Sequence, residues 1–189
     1  TIDNTSPGFQ ATALPFLVDD GLSIVRAHVA RANPQWRTAA DATALLIVPV
    51  SDAYISPRWY PSKREHGRVV PTWNYEVVHL HGTIEVHDDE AWLRRLVSDL
   101  TDHNEQQVTE DDGTPAWHVD DAPLDFIDKQ LRAIVGLELH VSRIEAKQKL
   151  SQNRDEPDRQ GAAGGLGASN RRHDRQTSAA MSRLESDGP

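Results

Sequence analysis

The residues best suited to gripping an anion lie in two short segments. Arg31, Asn33 and Arg37 fall within HVARANPQWR (28–37). A guanidinium is a planar fork that matches phosphate oxygens, Asn33 adds an amide, and Arg37 lies about one turn further on if a helix begins after Pro34. Such a helix start would also present free N–H groups to an anion. The other reading of Arg31 is an ordinary surface ion-pair partner. The second segment, KQKLSQNR (147–154), is dense in donors for an otherwise acidic protein. Lys149, Ser151, Gln152 and Arg154 could complete an anionic site from the opposite side or from a partner subunit, or form a solvated strand end. Between them, PTWNY (71–75) offers Trp73, Asn74 and Tyr75, two aromatics and an amide suited to walling a flat ligand and bonding its edge. Core or interface packing is the alternative for each aromatic. Tyr54, Ser56, Trp59 and Tyr60 invite the same two readings, and Ser56-Pro57 reads as turn chemistry rather than a catalytic serine. His79 and His81 share one strand face, and a sheet could bring His28 to them, but no matching carboxylate or third His is placed by the sequence, so no metal site is assigned. No residue is assigned a catalytic role, and no phosphate loop, dinucleotide fingerprint or nucleophile elbow occurs.

These residues need strands to hold them. Residues 11–18 contain Pro15 and suggest an edge strand or strand end, Asp19-Asp20-Gly21 a hairpin, and 22–30 and 43–50 further strands. Asn33-Pro34 can open a short helix. Residues 75–87 alternate most clearly, with Val78, Leu80, Ile84 and Val86 on one face and Tyr75, Val77, His79 and His81 on the other. Asp88-Asp89-Glu90 then supplies a cap and acidic first turn for an amphipathic helix ending near Asn104, followed by a polar loop over 106–121. A second helix starts around Pro123 and closes at Gly136, and Leu137, Leu139 and Val141 begin a last strand. These elements suggest a barrel-like α+β domain over 1–153. Residues 154–189, rich in Gly, Ala and Arg and including GAAGGLG (161–167), read as a mobile or weakly helical tail whose removal from Gly161 onward should shift the melting temperature little.

The chain has no cysteine, which excludes disulfides and thiolate metal sites. It lacks a signal-peptide pattern and any apolar run of membrane-spanning length, and reads as soluble and cytoplasmic. Its net charge of −9 arises in residues 1–150, where 14 Lys+Arg face 23 Asp+Glu; residues 151–189 carry 6 of each. An acidic body matches a phosphate backbone poorly. Direct DNA binding would fall to Arg171, Arg172, His173 and Arg175.

Five segments in order, HVARANPQW (28–36), AYISPRWY (53–60), VPTWNYEVVHLHG (70–82), IVGLELHVSRIEAKQKLSQNR (134–154) and DRQG (158–161), resemble the FMN-binding, PaiB-type negative transcriptional regulators. The resemblance implies an α+β, mainly β fold: a split β-barrel of the pyridoxamine-phosphate-oxidase kind with peripheral helices. It further implies a homodimer holding FMN at the subunit interface. The cofactor contacts it points to are Arg31, Asn33, Arg37, Trp73, Asn74, Tyr75, Lys149, Ser151, Gln152 and Arg154. A flavin- or deazaflavin-dependent oxidoreductase on the same barrel is the alternative, and a vestigial member holding no cofactor is a third. The chain departs from the family pattern at Ala27, where Gly is more usual. It also departs at the N-terminus, where Thr1-Ile2 reads as the end of the first barrel strand, so the sequence as it stands reads as short of one barrel element.

Overall fold

The computed structural model describes residues 8–186; the reading of Thr1-Ile2 as a strand end lies outside them. Five strands, β1 (Phe16–Val18), β2 (Ile24–Ala30), β3 (Thr43–Ile55), β4 (Thr72–His87) and β5 (Ile134–Lys149), lie in one sheet in the order β1-β2-β5-β4-β3. The helices are α1 (Ser62–Glu65), α2 (Glu90–Asp112), α3 (Leu124–Leu131), α4 (Glu156–Gly167) and α5 (Arg172–Ser186). The expected class, an α+β split-barrel sheet with peripheral helices, is the one observed. The chain divides into two compact units, one running up to Leu45 and over His81–Arg143, the other covering Leu46–Leu80 and the chain from Ile144 on.

In the first unit, the Asp19 carboxylate accepts from Ser23 N and Ile24 N, both at 2.7 Å, and Leu22 takes a φ of 52°. This closes the predicted hairpin and leaves β1, entered through Pro15, at the sheet edge. β2 pairs antiparallel with β5, from Ile24↔His140 to Ala30↔Ile134. Alternation buries Val25, Ala27 and Val29 opposite Leu139, Leu137 and Val135. Val29, Val135 and Leu137 form a core with Ala39, and Trp36, Ile84 and Val86 pack against it, as the even face of β4 predicts.

The helices of this unit differ from their sequence reading in two places. α2 starts as expected, with Asp89 accepting from Trp92 N at 2.8 Å, but it continues through residues expected to be loop until Gly113, at φ 72°, ends it. Glu105, Gln106 and Gln107 are good helix formers, and a left-handed glycine is a stronger stop than polarity. α3 begins after Pro123, and its Ile127 and Leu131 pack with Leu93 and Val119, but it ends at Arg132. Gly136 does not close it. It lies inside β5, where an ideal Cβ would come 2.1 Å from Cζ3 of Trp92, so the position requires glycine to admit an indole.

The second unit overturns the reading of the tail. Ala162, Leu166, Ala180 and Met181 of α4 and α5 are buried with Ala53, Ile55, Tyr60 and Leu150 in one cluster, against which Trp59 packs. The small residues taken for flexibility permit close approach instead. A Cβ at Gly161 would lie 2.1 Å from the Trp59 carbonyl oxygen, and one at Gly165 would lie 2.3 Å from Cδ2 of its ring. Asp158, also buried, accepts from Ser62 N at 3.1 Å and Ser62 Oγ at 2.6 Å, tying α4 to α1. The basic cluster is likewise structural: Arg171 Nε donates to the buried Asp174 carboxylate at 3.0 Å and Arg175 Nη1 to the Ser169 carbonyl at 3.1 Å, closing the α4–α5 turn.

Two adjacent glycines of α4 report on this packing. A Cβ at Gly164 meets nothing within 4 Å, so Gly164→Ala should stabilise by about 0.5–1 kcal/mol through helix propensity. Gly165→Ala should destabilise by about 1–3 kcal/mol because Trp59 must move. Denaturant unfolding of both variants checks this, since a mobile tail would answer both substitutions alike. Truncation at Gly161 removes Leu166 and Met181 from the core and uncovers Ile55 and Tyr60. The expected loss is about 5 kcal/mol, read as a fall of ~10–20 °C in melting temperature.

Candidate functional site

The sequence-predicted residues fall into two groups, one in each unit. In the first unit, Arg31 follows the end of β2, and its N–H donates to the Ala133 carbonyl at 2.8 Å. Its guanidinium donates from Nε to the Arg132 carbonyl at 2.8 Å, from Nη2 to the Ile134 carbonyl at 3.0 Å, and from Nη1 to Asp88 Oδ2 at 2.9 Å. A second bond, from Nη2 to Asp88 Oδ1, makes the pair bidentate. The fork that suits phosphate here grips a carboxylate and two carbonyls, joining the ends of β2 and β4 to the start of β5. The mutual hydrogen bond raises the pKa of Arg31 and holds Asp88 below the ordinary carboxylate range. The small pocket beside Arg31 is lined by Asp88 and Glu90 as well as Arg132, so anion and cation charges alternate there.

Asn33 and Arg37 sit in the turn that follows. Asn33 Oδ1 accepts from Gln35 N at 3.0 Å, capping the short 3₁₀ helix Pro34–Thr38, and its Nδ2 donates to Thr12 Oγ1 at 3.0 Å. The helix start predicted after Pro34 is present, but Asn33 itself takes the Gln35 N–H offered there to an anion. Arg37 lies over the Trp36 ring, 5.5 Å from its centroid, while Trp36 Nε1 donates to the Arg31 carbonyl at 2.9 Å. His28, on β2, is partly buried, and burial lowers its pKa.

In the second unit, alternation along β4 separates its three predicted residues. Asn74, on the inward face, is fully buried; Trp73 and Tyr75 point the other way, Trp73 exposed and Tyr75 partly so. Asn74 Nδ2 donates to Ser151 Oγ at 3.0 Å, and Ser151 Oγ lies 3.1 Å from Asn74 Oδ1, with the Met181 sulfur 3.4 Å from Nδ2. Ser151 is buried at a φ of 64°, so the pair fixes a tight turn after β5 inside the core. Trp73 Nε1 donates to Asp52 Oδ2 at 3.0 Å, and its ring meets that of Tyr54 edge-on at 6.3 Å.

The donor-rich segment 147–154 divides in the same way. Lys149 is exposed, and its Nζ donates to Thr72 Oγ1 at 2.6 Å, at the start of β4. Gln152 is consumed by its own turn, accepting from Leu150 N at 2.7 Å and donating to the Gln148 carbonyl at 3.2 Å. Arg154 covers the buried Tyr60 ring at 4.9 Å from its centroid, and burial raises the Tyr60 pKa. Of the ten residues named from sequence, Arg37, Trp73, Lys149 and Gln152 are exposed, Arg31, Asn33, Tyr75 and Arg154 are partly buried, and Asn74 and Ser151 are buried. Asp88 stood out only as part of a helix cap and Asp52 not at all; each matters through a partner distant in the chain, Arg31 and Trp73.

A family profile described as "Putative FMN-binding domain" matches residues 1–143. The protein named protease synthase and sporulation protein PAI 2 of Bacillus subtilis is 36% identical over 151 residues, covering 78% of this chain and 68% of its own. An uncharacterized protein of Aspergillus fumigatus is 31% identical over 170 residues, covering 75% of this chain and 65% of its own. Among solved structures, the flavocytochrome Anf3 of Azotobacter vinelandii overlays with a TM-score of 0.46 at 19% identity, over 78% of this chain and 59% of that one. Among the described residues no helix is long and apolar enough to cross a membrane. With 143 of 189 residues matched and a relative above 30% identity spanning more than three quarters of the chain, the protein belongs to this FMN-binding domain family.

Proposed function

We propose that this protein binds FMN and acts as a homodimeric regulator of the kind its sequence resembles. The observation that carries the reading is the family match over residues 1–143, strengthened by the 36% identity to PAI 2. FMN offers a dianionic phosphate, a polar ribityl chain and a flat ring with hydrogen-bonding edges. Within the second unit, Trp73 and Tyr75 supply flat apolar surface, and Lys149 supplies an exposed ammonium beside Thr72. Asn74 and Ser151 hold the backbone of β4 and of the turn after β5 beneath those side chains. Arg31, Asn33 and Arg37 form the second cationic group, in which Arg31 would exchange Asp88 for phosphate. Direct DNA contact through the C-terminal basic cluster is weakened by the Arg171–Asp174 pair and the acidic body, so the regulation we propose is indirect or runs through a partner.

The phosphate assignment is tested by titrating FMN and riboflavin, which lacks the phosphate, into the protein and its Lys149→Ala and Arg31→Ala variants. Lys149→Ala should weaken FMN by about tenfold or more and leave riboflavin unchanged, since one charge-assisted contact is lost. Selective weakening in Arg31→Ala alone would move the phosphate to the first unit, and absence of flavin binding by the parent protein would reject the reading. The dimer is supported by Tyr54, Trp73 and Ile144, large apolar side chains left exposed in one unit. Sedimentation at micromolar concentration should give a single species of twice the chain mass, and a clean monomer would refute this part.

A further inference from the structure

The first unit holds a group of side chains that the flavin reading leaves unused. Ile84 and Val86 of β4 pack in the same core as Val135 and Leu137 of β5, so alternation sends Glu85, His87, Glu138 and His140 to the other face of the sheet. One ligand atom from each of Glu85, His87 and Glu138 lies within 4.8 Å of the others. His87 Nε2 is 3.6 Å from Glu85 Oε1 and 3.9 Å from Glu138 Oε2. His140 Nε2 sits beside the same carboxylates, 3.1 Å from Glu85 Oε2 and 3.4 Å from Glu138 Oε1.

Two features separate this group from an ordinary surface ion pair. His87 Nε2 is buried without a hydrogen-bond partner, although it points between two carboxylates, and such an orphan is costly unless something sits on it. The ring cannot readily turn away, because it stacks on Trp92 with centroids 4.1 Å apart and planes 10° from parallel. The separations also suit coordination: ligand atoms about 2.1 Å from a tetrahedral ion lie about 3.4 Å from one another. Arg26, paired in register with Glu138, turns its Nη1 to Asp99 at 3.0 Å.

We propose that Glu85, His87 and Glu138 bind a divalent first-row metal ion, with His140 as the positioning residue that holds the two carboxylates. The donor set, one imidazole nitrogen and two carboxylate oxygens, suits zinc, manganese or iron(II) and excludes soft monovalent ions. With three protein ligands, a fourth position remains open on the side of Glu85, which is exposed. Such a site would pin β4 to β5 and offer a coordination position to water or an anionic group.

The test uses the full chain without a polyhistidine tag, stripped of metal by chelator. Cobalt(II) is titrated in and followed by its visible d–d absorption, and zinc is then added in competition. One cobalt per chain, displaced by one zinc, is expected. His87→Gln and Glu138→Gln should each weaken binding by about 100-fold or more, His140→Asn by about 10–100-fold, and His79→Gln not at all. Glu85→Gln, at an exposed position, provides a ligand variant whose folding is not in question, and circular dichroism confirms the fold of the others. Absence of a stoichiometric cobalt spectrum would overturn the proposal, as would binding that persists in Glu85→Gln and Glu138→Gln.

Discussion

An indole can lie against a backbone only where the facing residue carries no Cβ, and each unit places one tryptophan under that constraint. In the first, Trp92 occupies the space over Gly136, where the first side-chain atom of any other residue would overlap its ring. From that position it stacks on His87 and packs against the cluster of Leu93, Val119, Ile127 and Leu131, which joins α2 to α3. In the second, Trp59 meets Gly161 and Gly165 and so docks α4. α5 then packs on α4, with Ser178 Oγ donating to the Ala163 carbonyl at 2.8 Å, and brings Met181 to Asn74. Overlaps of this depth are not relieved by a rotamer change, because both partners are already packed.

Polar groups follow from this packing. Asn74 and Ser151 are buried because the C-terminal helices lie where they do, and each satisfies the other, which spares the core an unpaired amide. Arg31 is spent on Asp88 and two carbonyls, a capping of strand ends that a chain with its acidic balance can supply from many positions. The consequence for cofactor binding is a division of labour. Residues with the right chemistry for a flavin include some that hold the scaffold and others, such as Trp73, Tyr75 and Lys149, whose groups reach the surface.

Membership of the FMN-binding domain family and the exposed aromatic pair of Tyr54 and Trp73 support one ligand class, while the Glu85–His87–Glu138 group supports another of different chemistry. Trp73, Tyr75 and Lys149, proposed for the flavin, and Glu85, His87 and Glu138, proposed for the metal ion, lie on different stretches of β4 and β5.

Alternation determined most of β4 and its two faces, because an alternation of apolar and polar residues has one low-energy placement against a core, and an apolar, β-branched run of strand length located the first part of β3. Local chemistry determined the Asp19 hairpin, the Asn33 and Asp89 caps and the Pro123 helix start, since each depends on side chains within a few residues. Contacts over long separations belonged to the tertiary structure. Nothing within several residues of Gly136 distinguishes a helix stop from a seat for Trp92, and nothing in GAAGGLG distinguishes a flexible tail from a helix shaped to Trp59. The partners of Arg31 and Asn74 were likewise invisible, because Asp88 and Ser151 lie 57 and 77 residues away. Sequence names the groups that can do chemistry; only the fold decides which of them are already engaged, because hydrogen bonds and close packing are settled by distance in space.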